Sequence, residues 1–152
     1  MALTDATPTA GGTPPPDLGC AACRAAYFLP ADRRTVGRAR RLVTEQLGSW
    51  GVDPDGCDTA ALVVSELLTN AVLHTSSRRI SCTVEATPEL VLIQVTDDGS
   101  GPSVPRPRRA GYRDEVGRGL LPVKTVSERW GVSCAEYGDG RTVWAALRTT
   151  RS

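Results

Sequence analysis

Glu66, Asn70 and His74 stand four residues apart. In a helix four residues turn about 400°, so the three drift by only about 40° per step and share one face. An Asn side-chain oxygen suits a hard cation such as Mg²⁺, and a Glu one turn away is placed to take a proton from a hydroxyl or a water. Together they would build half of a nucleotide site. Taken alone, the same stripe equally suits a solvent-facing polar edge. Further on, Val95-Thr96-Asp97-Asp98-Gly99-Ser100-Gly101 ends an apolar run with a carboxylate, followed by glycines that let backbone approach a ligand closely. Asp97 could accept a hydrogen bond there from the exocyclic amine of adenine, or form an Asx-type turn at a strand end. Gly117-Arg118-Gly119-Leu120 precedes a helical pattern. Unpaired N–H groups at a helix start hold phosphate oxygens without any lysine, although a glycine pair also serves simply to begin a helix.

Other chemistries are excluded by what is missing. Lys124 is the only lysine, no segment reads as a Walker loop, and Pro122 stands where a dinucleotide fingerprint needs its third glycine. Protein-kinase signatures with catalytic His-Arg-Asp and Asp-Phe-Gly are missing too. With His74 as the single histidine, no His pair can form within the chain. Cys20-Ala-Ala-Cys23 lacks the second ligand pair of a zinc site. Five cysteines, an odd number, speak against a disulfide framework and for incidental reduced thiols. The 18 basic and 17 acidic residues leave a net charge of +1, without the cationic excess that nucleic-acid or membrane-surface binding requires. No run approaches the roughly 20 apolar residues of a membrane span, and no signal peptide is evident at the start, so the expected location is cytoplasmic.

The elements that must position these residues follow from periodicity. Residues 1–24, with Pro8, Pro14, Pro15 and Pro16 and few large apolar side chains, are expected to form a disordered tail before a single domain over 25–149. A strand is predicted over 25–30 and an amphipathic helix over 33–50, capped by Asp32 and stopped by Gly51. A second, largely apolar helix runs from Asp53-Pro54-Asp55 to about Thr75 and carries Glu66, Asn70 and His74. Strands over 79–86 and 90–96 form a hairpin. Residues 98–116 form a long loop suited to a lid or a solvated loop, carrying Arg106, Arg108, Arg109 and Arg113. A helix over 119–129 and a hairpin of strands 132–137 and 142–148 complete the chain. This order predicts an α/β two-layer sandwich, a mostly antiparallel sheet with helices on one face.

Four segments then carry a resemblance. Ser65 to His74, Asp97-Asp98-Gly99-Ser100-Gly101, Gly117-Arg118-Gly119-Leu120 and Gly140-Arg141-Thr142-Val143-Trp144 resemble the N box and the three glycine boxes of the GHKL ATPase superfamily, in their order and on the expected elements. Within it the chain resembles the RsbW-like and SpoIIAB-like anti-sigma factor serine/threonine kinases of the stand-alone actinobacterial type. The resemblance implies the Bergerat ATP-binding fold and the cofactors ATP and Mg²⁺. Asn70 would hold Mg²⁺, Asp97 the adenine, Gly99 and Gly101 the hinge beneath it, and Gly117, Gly119 and Leu120 the phosphates. Arg118 would reach a phosphate or stay on the surface. Thr142 would add an adenine-side hydrogen bond through water, and Glu66 would be the general base toward a serine hydroxyl or water. His74 receives no catalytic role. The implied function is Mg-ATP-dependent phosphorylation of a Ser or Thr on a STAS-domain anti-sigma factor antagonist by a protein that also binds a sigma factor. The alternative is an ATP-dependent binding module without significant turnover. The resemblance also suggests a homodimer.

Overall fold

The computed structural model describes residues 13–20, 22–74, 79–97, 121–134 and 140–149. Its elements are β1 (Cys23–Pro30), α1 (Arg33–Ser49), α2 (Pro54–His74), β2 (Arg79–Ala86), β3 (Leu90–Asp97), α3 (Leu121–Val126), β4 (Arg129–Cys134) and β5 (Arg141–Arg148). The strands form one sheet in the order β1-β2-β3-β5-β4, and every neighbouring pair is antiparallel. Helices α1 and α2 pack against each other and on one face of this sheet, as the pattern predicts.

The termini of α1 follow from local chemistry. The Asp32 side chain accepts from the Arg34 backbone N–H at 2.9 Å, which satisfies one of the helix's open donors. At the other end Gly51 takes φ of 90°, so that its N–H reaches Gly48 O at 3.0 Å while Val52 N–H reaches Leu47 O at 3.0 Å. This is the Schellman arrangement, which an L residue with a Cβ would strain at Gly51. Between the ends, Ala39, Val43 and Leu47 recur every fourth residue and are fully buried.

Helix α2 starts with Pro54 in the first turn, where its missing N–H costs nothing. By length and apolar composition alone, Pro54–Leu73 would suffice to cross a bilayer, contrary to the expectation that no run is long enough. Ala60, Val63, Val64, Leu67 and Leu68 are instead fully buried in the core formed with α1 and the sheet. The apolar content serves a helix covered on several sides, each buried Leu or Val contributing about 1.5–3 kcal/mol.

The described chain from residue 121 departs from expectation. The described helix ends at Val126, and β4 begins at Arg129 rather than at 132. Ser127 N–H still closes a helical turn onto Val123 O at 2.9 Å, but Glu128 N–H already bonds Ala146 O of β5 at 2.9 Å. Pairing with β5 therefore takes over before the helical pattern runs out.

Of the N-terminal segment, Thr13 and Leu18 contact the sheet face away from the helices, and Cys23 and Arg24 already belong to β1. Thr13 N–H bonds Val132 O at 2.9 Å, the Trp144 indole N–H donates to Thr13 O at 2.9 Å, and Leu18 packs on Leu92, Trp144 and Ala146. A buried indole needs an acceptor, and this strap supplies it.

Beside Trp144 in the neighbouring strand sits Gly131, where a Cβ would lie 2.8 Å from the indole Cζ2 and 2.9 Å from Nε1. Gly131→Ala should therefore displace the ring and lower stability by about 1–3 kcal/mol. A thermal melt should show this as a drop of roughly 2–4 °C per kcal/mol. An unchanged melting temperature would mean that Trp144 does not need its present position.

All five cysteines carry free thiols. Burial pushes the Cys82 thiol up to about 12, and burial with the nearby Asp53 and Asp58 raises that of Cys57. Cys20 and Cys134 are exposed. With an aromatic disulfide reagent at neutral pH, Cys20 and Cys134 should react in the native protein and Cys82 only after unfolding. Fast labelling of native Cys82 would contradict the packing around it.

Candidate functional site

The site begins where β3 ends. Side chains alternate along a strand, so Asp97 shares the helix-covered face with Val91, Ile93 and Val95, all of which lie in the main core. It pairs with Ile80 on one side and with Arg141 on the other. Its side chain is only 5% exposed, and Arg141 Nη2 lies 3.5 Å from Asp97 Oδ2. A buried carboxylate is tolerable because a guanidinium faces it.

On the same face, α2 packs against β3 and β5 and presents Asn70, which is 6% exposed. Asn70 Oδ1 is buried and has no hydrogen-bond partner among the described residues. An orphaned buried oxygen costs free energy unless a ligand completes it. One turn earlier Glu66 is half-buried, short of the core and accessible to a reacting group. No cluster of three His, Cys, Asp or Glu residues that could cage a metal occurs among the described residues. Mg²⁺ is usually held by one or two protein oxygens together with substrate phosphates and water, and the Asn70 oxygen without a partner among the described residues fits such a role.

The structure places Thr142, for which the resemblance implies an adenine-side hydrogen bond through water, on the other face: it alternates with Trp144 and Ala146 away from the helices. There its hydroxyl meets that of Thr96 at 2.8 Å. Arg141, one residue earlier, occupies the position facing Asp97. The signal was present in the sequence: Val143, Ala145 and Leu147 mark the core face of β5, and the same parity selects residue 141.

Helix α2 and strand β3 thus bring Glu66, Asn70 and Asp97 to the helix-covered side of the sheet. Gly99, Gly101, Gly117, Arg118, Gly119 and Leu120, like the 98–116 loop, lie outside the described residues. His74 ends α2, and its side chain is also outside them.

Comparison with known proteins bears on the family and the fold. No curated protein matches the chain in sequence. The sequence model of the histidine kinase-like ATPase domain, however, matches residues 29–147, from the end of β1 to the penultimate residue of β5. That span holds both helices that cover the sheet and all the candidate site residues. With its antiparallel sheet, its paired helices and a carboxylate at the end of β3, the chain belongs to the family of histidine kinase-like, GHKL-type ATPase domains and is an ATP-binding protein.

Proposed function

We propose that the protein is a cytoplasmic anti-sigma factor serine/threonine kinase, which uses Mg-ATP to phosphorylate a Ser or Thr of a STAS-type antagonist and binds a sigma factor in turn. The observation that carries this reading is the pairing, on one helix, of the buried Asn70 oxygen without a partner and Glu66 one turn before it. Asn70 would hold Mg²⁺, whose charge offsets that gathering on the phosphate oxygens. Asp97 accepts from the exocyclic amine of adenine and so orients the base. Glu66 takes the proton of the incoming hydroxyl, whose oxygen bonds to the γ-phosphorus as the bond to the β-phosphate oxygen breaks and ADP leaves. Positioning is the chief contribution of the protein to such a transfer.

A histidine-phosphorylating reading is disfavoured, since the single histidine lies at the end of α2 itself. The test is incubation of the purified chain with Mg-ATP and a STAS-domain protein that binds it. Label on a Ser or Thr of that partner is the expected result. Binding without label, and with an affinity that differs between ATP and ADP, would replace the kinase by a nucleotide-switched binding module.

A further inference from the structure

We infer that Arg141 is a specificity-determining residue of the base site, acting through Asp97; the inference rests on the reading of Asp97 as the adenine acceptor. Three observations carry it. Arg141 stands directly opposite Asp97 across the β3–β5 pair, so the two Cα atoms are held in register by the sheet. Its Nη2 lies 3.5 Å from Asp97 Oδ2, with the two side chains only 18% and 5% exposed. The neighbouring Thr142 is turned to the other face and cannot share this work.

The chemistry follows from what a carboxylate presents. Ionised, it is an acceptor only and matches the N–H of an exocyclic amine. Protonated, it offers an O–H donor, which meets that amine donor to donor. Taking a carboxylate out of water favours the protonated form, and an adjacent guanidinium favours the ionised one. The strand register also holds the guanidinium at a fixed place beside Asp97 Oδ2, which the flexible stem of a lysine ammonium would do less well. Arg141 thus keeps Asp97 an oriented acceptor, and the site's preference for an amine-bearing purine depends on it. It is a positioning residue rather than a catalytic one.

The test is calorimetric titration of the full chain with Mg-ATP and with the Mg-triphosphate of purine riboside, which lacks the exocyclic amine. Wild type should prefer ATP by roughly tenfold or more, the value of one charge-assisted hydrogen bond. In Arg141→Ala and Arg141→Gln that preference should shrink to about threefold or less, while Arg141→Lys recovers part of it. A merely structural role would lower both affinities together and leave their ratio at the wild-type value, in any of the variants that fold, and that result overturns the inference. A wild-type protein that binds the two triphosphates equally, or neither, refutes the adenine reading of Asp97 and the inference with it.

Discussion

Asp97→Asn is expected to weaken ATP binding by about 100-fold and to lower stability at the same time. The amide replaces one acceptor oxygen by a donor, so the proposed charge-assisted hydrogen bond to the base would be lost, an effect on the order of 1.5–3 kcal/mol. The stability loss has a separate cause. Arg141 would face a neutral group while only 18% exposed, and removing one partner of a buried pair costs on the order of 3 kcal/mol. The figure belongs at the low end of the usual range because Arg141 keeps some contact with water. The two effects separate in the double variant Asp97→Asn/Arg141→Leu. Replacing both charges leaves no unpaired ion, so the melting temperature should recover most of its loss. ATP affinity should not recover. An Asp97→Asn protein that binds Mg-ATP within about threefold of wild type would remove Asp97 from the base site.

Glu66→Gln should instead spare binding and remove turnover. The substitution keeps the shape of the side chain and its half-buried position on α2, one turn from Asn70. It removes the carboxylate proposed to accept the hydroxyl proton, and such general bases contribute about 10²–10⁴-fold to rate. Phosphoryl transfer to a partner, or to water, should fall in that range while ATP affinity stays within about threefold. A rate reduced by less than threefold would place the base elsewhere, and a parallel loss of affinity would make Glu66 a binding residue.

Much of this arrangement was legible because periodicity is local. The i, i+4 spacing of Glu66 and Asn70 fixed their common helix face, and the glycine after α1 fixed its end through a positive φ. Asp97 was recognisable as the polar end of an apolar strand. What escaped the sequence depended on partners far along the chain. Residues 13–19 carry little apolar surface except Leu18, and nothing local reveals that the Trp144 indole, some 131 residues away, bonds Thr13 O. The face of Thr142 follows from strand parity, whereas resemblance of a motif does not say which of two adjacent residues points inward. The early start of β4 likewise reflects Glu128 N–H bonding to β5, a tertiary contact that overrides the helical pattern before it.

The most direct measurement of the central claim, that α2 and β3 form a Mg-ATP site through Asn70 and Asp97, is the melting temperature with and without ATP and Mg²⁺ for wild type and Asn70→Ala. Ligand at a hundredfold over its Kd stabilises by about 2.7 kcal/mol, a shift of several degrees at roughly 2–4 °C per kcal/mol. The account predicts a shift in wild type that grows with Mg²⁺, and no magnesium dependence in Asn70→Ala. No shift in wild type at millimolar Mg-ATP, or a magnesium-dependent shift that survives in Asn70→Ala, would contradict it.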